Sequence, residues 1–535
     1  MTDIRHTNAG LLAERLKAHG VRYVFGIPSG QILPAVEALE GCGIRFVLVS
    51  HEMSAAFMAD VVGRLTGTPG VALATLGPGA TNLATGVGNG LLDRSPCLIL
   101  TAQVPTSQHG RRVQMHVEHR QLFAPLTKDS LSLASGGVAE TVDRAVALAL
   151  AEPPGPVHLD LPEDILAGNA LERPGRVELV RRSPSPRVTG LREAVRVLRG
   201  AYRPVAVLGL SAARSGQGRL IRRLLERFRI PFVATMMGKG VIPDPHPLSI
   251  GVVGRARHRW VEGFVAEADL VLGLGYDPVE IGYEDWMPDV PLVHVDREAA
   301  DADPRVRIAA QVRGDLGAAV AALLAAPLSR AGWDLAAIRA FQTRLAAGLR
   351  PRSAGFQPHQ VLDLLRAWLP ADGILACDVG AHTHQIASQW PVPAGGRLLV
   401  SNGWSSMGYG IPAALAAKLA CPRREVACLV GDGGFLMQAG EMATAARLGR
   451  RVLFVMLRDG SLSLIEAKQR RRGYRAAGVA LPPWPPPPDY FGVPCVPART
   501  PREFRTALHR ARRARGPLVI EAVVDGSRYA EILYS

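Results

Sequence analysis

VGDGGFLMQAGEMATAARLGRRVLFVMLRDGSLSLI, residues 430–465, decides the fold. An apolar strand ends on an acid between glycines, and a second acid ends the next strand. Residues 426–430 read as a buried strand, which places Asp432 just past its carboxyl end, where α/β sheets bind ligands. Gly431, Gly433 and Gly434 let backbone N–H groups approach a ligand closely. Apolar residues at helical spacing predict a helix over 436–448. Residues 452–457 then predict a second buried strand, ending at Arg458 and Asp459. Two carboxylates at neighbouring strand ends, beside glycine-rich backbone, suit a hard divalent cation carrying a diphosphate. Two solvated acids in turns would give the same letters.

The whole chain has 535 residues, 48% of them hydrophobic, enough for about three or four domains. No apolar run approaches the roughly twenty residues that span a membrane. The N-terminus lacks the basic, apolar and small-residue zones of a signal peptide. Cys42, Cys97, Cys377, Cys421, Cys428 and Cys495 are scattered without CxxC spacing, which fits a reducing cytoplasm rather than a disulfide frame or zinc site. The net charge is +15, carried almost entirely by arginine. Only 5% of residues are aromatic and no basic stretch is interleaved with them, which argues against nucleic acid. A basic field still attracts small anions.

Strand-then-helix units repeat along the chain. Residues 21–25, 45–49, 70–75, 97–103 and 157–161 predict one parallel sheet; 204–210, 231–236, 268–274 and 291–295 a second; 373–378, 398–401, 426–430, 452–457 and 518–523 a third. The fold class is therefore α/β, with three doubly wound domains at 1–172, 188–328 and 357–535. The Pro/Arg-rich stretch 173–188 reads as a linker, and PPWPPPP (482–488) as an extended surface loop.

At this level the chain resembles the thiamine diphosphate (ThDP)-dependent enzymes of the acetolactate synthase type, over nearly its whole length. GIPSG (26–30), HEMSAAFMADVVGRLTG (51–67), ATLGPGATN (74–82) and TAQVP (101–105) resemble the pyrimidine-binding domain. SNGWSSMGYGIP (401–412) and the GDG at 431–433 resemble the diphosphate domain, separated by a central domain. The resemblance implies that Asp432, Asp459 and the carbonyl of Ser461 hold Mg²⁺. It places Thr75, Gly77, Pro78, Gly79, Asn82, Gly380, His382, Ser406, Met407, Gly431, Gly433, Gly434, Ser461 and Leu462 about the cofactor. Glu52 resembles the glutamate that makes the cofactor's aminopyrimidine basic, while ThDP supplies a carbanion nucleophile and then an electron sink. Met407 matches the bulky side chain beneath the bent cofactor. Family enzymes place the glutamate and the diphosphate on different subunits, which implies a homodimer or homotetramer.

The implied activity is decarboxylation of a small 2-oxo acid, pyruvate first, with ligation to a second carbonyl. Three departures qualify it. Gln114 and Met115 stand where acetolactate synthases carry Phe-Gln. His116 and His119 follow, in a setting where ThDP decarboxylases carry acid/base histidines; Gln103 is the candidate substrate-positioning amide. Arg458 replaces an expected amide beside Asp459. GVVG (251–254) and GLGYDPVEIGYEDW (273–286) do not resemble a flavin loop, so FAD is not expected. The alternatives are a simple 2-oxo-acid decarboxylase or a specialised ThDP lyase/ligase of secondary metabolism, and a non-catalytic ThDP-fold binding protein.

Overall fold

A computed structural model describes residues 6–172, 187–281 and 285–534. Three parallel-sheet α/β domains follow one another. The first sheet has the order Arg45–Leu48, Tyr23–Gly26, Gly70–Ala74, Cys97–Gln103, Pro156–Pro162 and Ser130–Ser132. The central sheet runs Ile308–Arg313, Leu292–Asp296, Leu270–Leu274, Pro204–Leu208, Phe232–Ala234 and Ser249–Val252. The third runs Arg397–Val400, Ile374–Cys377, Val426–Gly431, Leu453–Arg458, Leu518–Val523 and Val493–Ala498, with Asp489–Tyr490 antiparallel at its edge. The inner strands are buried on both faces, which is why they read as unbroken apolar runs. Among the described residues no helix is long and apolar enough to cross a membrane.

The strands missed by the sequence reading lie at or next to sheet edges. Ser130–Ser132 is short and polar, Ser249–Val252 and Ile308–Arg313 alternate buried and half-buried positions, and Val493–Ala498 carries two prolines. The linker read at 173–188 falls almost wholly outside the described residues. One prediction needs correcting. The single helix expected over 436–448 is two, Asp432–Met437 and Glu441–Leu448. The turn between them docks on the first domain: Ser54 Oγ donates to Gln438 Oε1 at 2.6 Å and Ser50 Oγ to the Gly440 carbonyl at 2.7 Å. Glu441 Oε1 accepts from the N–H groups of Ser50 and His51 at 2.8 and 3.1 Å. The backbone breaks where the partner domain needs its polar groups.

A second joint lies at the other end of the helix Glu52–Thr66. Arg64 is held between Asp60 and Asp93, 2.8 and 2.7 Å away, and donates to the Val400 carbonyl of the third domain at 3.0 Å. Asp93 in turn accepts from the Asn402 and Gly403 N–H groups at 3.1 and 2.7 Å.

In the central sheet, strand order reverses between Pro204–Leu208 and Leu270–Leu274, the place where such sheets leave a crevice. Glu280 fills it. Its Oε1 accepts from Leu210 N at 2.7 Å and Asp277 N at 3.2 Å, and Thr235 donates its hydroxyl to Oε2. Burial pushes the Glu280 carboxyl from the ordinary 4.5 up to about 8. Folding therefore takes up a proton between those values. The group's contribution to stability is full below about pH 4.5 and is lost as pH rises to about 8, by up to about 1.4 kcal/mol per unit. Glu280→Gln is expected to melt higher than the parent at pH 8 and to converge with it near pH 5, as followed by scanning fluorimetry across that range.

Candidate active site

Three parallel strands of the third sheet end on acids: Asp378 after Ile374–Cys377, Asp432 after Val426–Gly431 and Asp459 after Leu453–Arg458. Asp432 accepts from Gly433 N at 2.9 Å and Gly460 N at 2.8 Å. Asp459 accepts from Ser461 N at 3.2 Å and Ser463 Oγ at 2.7 Å. Burial raises both carboxyls, Asp459 to about 6, and the charge of Asp432 adds to that rise. A divalent cation would reverse this cost by stabilising the ionised forms. Residues 460–462 pair with 479–481, Leu462 N donating to Val479 O at 2.8 Å and Leu481 N to Gly460 O at 2.9 Å. In that register Ser461 is a non-hydrogen-bonded partner of Ala480, so its own carbonyl points away from the neighbouring strand.

Asp378 was not singled out from sequence, although CDVG (377–380) is the same strand-end signal. It accepts from the N–H groups of Val379, Gly408 and Gly410 at 2.7, 3.0 and 2.9 Å. Those bonds fix the backbone after Met407 at the start of the helix Gly410–Ala420. Burial pushes the Asp378 carboxyl up to about 6. Gly434 lies against it, where a Cβ would sit 2.8 Å from Oδ1. His382 packs its ring on Gly380 and Gly431, whose Cβ atoms would meet Cε1 at 2.8 and 3.3 Å. Burial drives the imidazole down to about 4, so it is neutral, and its buried Nε2 has no hydrogen-bond partner. Gly433 faces Leu462 and Met407, with 2.6 Å from a Cβ to Leu462 Cδ2 and 3.1 Å to Met407 Cε. Ser406 is tied back by its N–H to Ser401 Oγ at 2.9 Å, and Gly380 by its N–H to Thr383 Oγ1 at 2.9 Å. Two raised carboxylates, an unsatisfied buried imidazole nitrogen and glycines that admit no side chain fit a diphosphate carried by a divalent cation.

In the first domain Glu52 opens its helix, with His51 capping Met53 N at 3.1 Å. Asn82 Nδ2 donates to Glu52 Oε2 at 3.0 Å. A Cβ on Gly79 would lie 3.4 Å from Glu52 Oε1, and Thr75 has a buried hydroxyl without a partner. Pro78 begins the helix Pro78–Leu92, and Gly77 before it has φ +61°, with the Met115 carbonyl 2.5 Å from where a Cβ would stand. Only glycine fits that turn.

The loop over Gly77 separates the two expected acid/base histidines. Gln103 is buried; its Oε1 lies 2.9 Å from His116 Nδ1 and its Nε2 donates to Val117 O at 3.3 Å. His116 Nε2 lies 3.3 Å from Glu118. The structure thus joins Gln103 to His116, but not to His119. His119 is fully buried, with Nδ1 on Asp160 at 2.8 Å and Nε2 accepting from Gly77 N at 3.2 Å. Both of its ring nitrogens are therefore engaged, and its Nε2 holds the Gly77 turn. Burial would raise Asp160, but hydrogen bonds from His119 and His158 outweigh it and hold the carboxyl well below the usual range. His119, His158 and Asp160 converge as metal ligands would. Thr101 Oγ1 occupies their centre at 3.2, 2.8 and 2.7 Å, so the group is a closed hydrogen-bond network. Its members come from two strands and the start of the helix His119–Phe123, and no sequence motif announced it.

Comparisons with known proteins agree with this geometry. Residues 6–123, 191–323 and 378–522 match the thiamine pyrophosphate enzyme N-terminal TPP binding, central and C-terminal TPP binding domains. The chain is 30% identical to a probable acetolactate synthase large subunit of Methanocaldococcus jannaschii, over 97% of this chain and 92% of that protein. It is 30% identical to the acetolactate synthase isozyme 1 large subunit of Escherichia coli, over 98% and 95%. It is 35% identical to the probable 2-ketoarginine decarboxylase AruI of Pseudomonas aeruginosa, over 84% and 81%.

His119→Ala leaves the buried Gly77 N–H without its acceptor and takes one of three partners from Asp160, and is expected to cost about 1–3 kcal/mol. His116→Ala, whose side chain is 8% exposed and gives up its contact with the Gln103 amide, is expected to cost less, about 0.5–2 kcal/mol. Urea melts without cofactor compare the two.

Proposed function

The chain belongs to the thiamine pyrophosphate enzyme family, and from that premise we propose that it decarboxylates a small 2-oxo acid, pyruvate first, and ligates the product to a second carbonyl. It is a ThDP-dependent, acetolactate synthase-like enzyme. The observation that carries the site assignment is the pair of raised carboxylates, Asp432 and Asp459, beside the unpartnered Nε2 of His382. Bound ThDP supplies the nucleophilic carbon and the electron sink. In this reading Asp432, Asp459 and the Ser461 carbonyl hold Mg²⁺, His382 meets the diphosphate, and Met407 with Leu462 gives the apolar support. Glu52, fixed through one oxygen by Asn82, exchanges a proton with the cofactor's ring nitrogen.

A second reading, simple decarboxylation, has its own support. Gln114 and Met115 replace the Phe-Gln pair, His116 sits on Gln103, and one of the relatives is named a decarboxylase. We further propose that no FAD binds, because Glu280 fills the central crevice with the chain's own carboxylate. The proposed homodimer places Glu52 of one copy against Asp432 of the other. Exposed apolar residues flank both half-sites: Leu436 and Met437, 47% and 54% accessible, follow Asp432, and Met115 and Val117 lie beside Gln103.

NMR of the products from pyruvate, ThDP and Mg²⁺ tests the reaction: acetolactate is expected, and acetaldehyde alone would replace it with the second reading. Glu52→Gln is expected to lower kcat by about a hundredfold or more. Coexpression tests the shared site. Glu52→Gln and Asp432→Ala are each expected to be nearly inactive, and randomly assembled hybrids to recover about a quarter of parent activity through one intact site in half the dimers. No recovery would place the whole site within one chain.

A further inference from the structure

Arg458 and the run PPWPPPP (482–488) are two departures that the chemistry above does not use, and the structure joins them. Arg458 ends the strand Leu453–Arg458 beside Leu518–Val523. Its Nη1 donates to Glu521 and its Nη2 to the Trp484 carbonyl. The guanidinium carbon lies 4.5 Å from the centre of the Trp484 ring. Trp484 Nε1 donates to Tyr490 Oη at 2.9 Å, and Tyr490 Oη donates to Glu521 Oε2 at 3.1 Å, which closes a ring of four side chains. Glu521 has no solvent exposure and Arg458 only 14%, so this ion pair is buried.

The segment's own chemistry explains why it needs such an anchor. Six of the seven residues at 482–488 are proline, which lack N–H groups, so the run can offer a sheet only its carbonyls, as Pro488 does to Cys495 N at 2.9 Å. Immediately before them, residues 479–481 pair with 460–462, the loop that follows Asp459. That pairing carries Leu481 to Gly433, where its Cδ1 lies 3.9 Å from a Cβ position that also touches Leu462 and Met407. An asparagine side chain at 458 is too short to reach both Glu521 and the Trp484 carbonyl. Arginine's planar fork makes two directed bonds and stacks on the indole as well.

We propose that Arg458 is a positioning residue. It clamps the strap 479–490 onto the sheet through Trp484 and Glu521, so that Leu481 completes the apolar wall beside Met407 and Leu462 and the 460–462 loop is held in register. The wall's task toward a cofactor rests on the function proposed above; the clamp itself does not.

The test uses the full-length protein, first without added cofactor. Hydrogen–deuterium exchange is read at Leu462 and Leu481, whose amides make the two strap bonds, in the parent and in Arg458→Gln, Arg458→Lys and Trp484→Ala. Exchange there is expected to rise at least tenfold in all three, with the inner strands of the third sheet unchanged. Arg458→Lys keeps a cation for Glu521 but loses the two-point grip, so it separates clamping from charge balance. Trp484→Ala, at a half-buried position, keeps the test open if Arg458→Gln fails to fold. Unchanged exchange at Leu462 and Leu481 in Arg458→Lys and Trp484→Ala would overturn the clamp. Calorimetry with ThDP and Mg²⁺ then reads the consequence: roughly tenfold weaker binding in Arg458→Lys and Trp484→Ala, with kcat reduced at saturating cofactor and substrate KM little changed. Loosened straps with parental ThDP affinity and kcat would overturn the positioning role. A parent that binds no ThDP would overturn the cofactor reading and with it the wall's role, while the exchange result would stand.

Discussion

Arg64, buried between Asp60 and Asp93, sets the geometry on which the rest depends. A buried ion triad contributes little net stability, because desolvation offsets its attraction, but losing one member leaves an uncompensated charge and costs about 3–5 kcal/mol. Its consequence here is registry. Arg64 lies on the helix that begins at Glu52, and it grips Val400, at the start of the loop that carries Met407. Asn89, which donates to Asp60, also accepts from Ser401 Oγ, and Ser401 in turn accepts from Ser406 N. One chain of polar contacts therefore runs from the Glu52 helix to the backbone under Met407. At the helix's other end, Glu441 takes two N–H groups from Ser50 and His51. The two cofactor-binding domains are pinned at both ends of the same helix, so neither half-site can shift alone.

The three sheets share one device and use it differently. Each reverses strand order and leaves groups at its strand ends that need partners. In the central sheet Glu280 supplies the partner from within, and burial keeps it protonated at neutral pH. In the third sheet Asp378 spends its acceptors on three backbone N–H groups, which fixes the loop after Met407. Asp432 and Asp459 are left with raised carboxyls beside an unsatisfied imidazole. The first sheet ends its Gly70–Ala74 strand on a turn that only glycine can make, locked by His119. A closed strand end is structural and an open one is available for a ligand.

What the sequence made legible follows this division. The apolar inner strands and the acids at 432 and 459 could be read because burial on two faces and glycine neighbours leave local signatures. Most of the edge strands could not, since short, half-exposed or proline-bearing runs carry no such pattern, although Arg45–Leu48 and Arg397–Val400 were read at the edges of their sheets. The turn at 438–440 was hidden because helical periodicity continues across it, and a contact almost 390 residues away in sequence decides the break. His119 is the sharpest case. The resemblance to ThDP decarboxylases suggested a pair with His116, yet the neighbouring strands supply Asp160 and Thr101 to one and Gln103 to the other. Arg458 looked like a defect in a metal motif until its partners, 26 and 63 residues further along, were in view.

The choice between ligation and decarboxylation turns on protons. Ligation requires that the nucleophile formed on decarboxylation meet a carbonyl before it meets an acid, whereas simple decarboxylation requires an acid within reach. The loop at 103–119 brings one ionisable side chain, His116, onto the Gln103 amide, with Glu118 at its other nitrogen. Glu118 is more than half exposed, so the pair stays in contact with solvent and can exchange protons with it. His119, which the resemblance to ThDP decarboxylases offers as a second acid, has its ring nitrogens on Gly77 N and Asp160. Under the proposed function the histidine set on the Gln103 amide is the one placed to exchange a proton, and Gln114 and Met115 stand where acetolactate synthases carry Phe-Gln. Were the second copy of the proposed homodimer to cover Met115 and Val117, His116 would lose that exchange with solvent and ligation would be favoured.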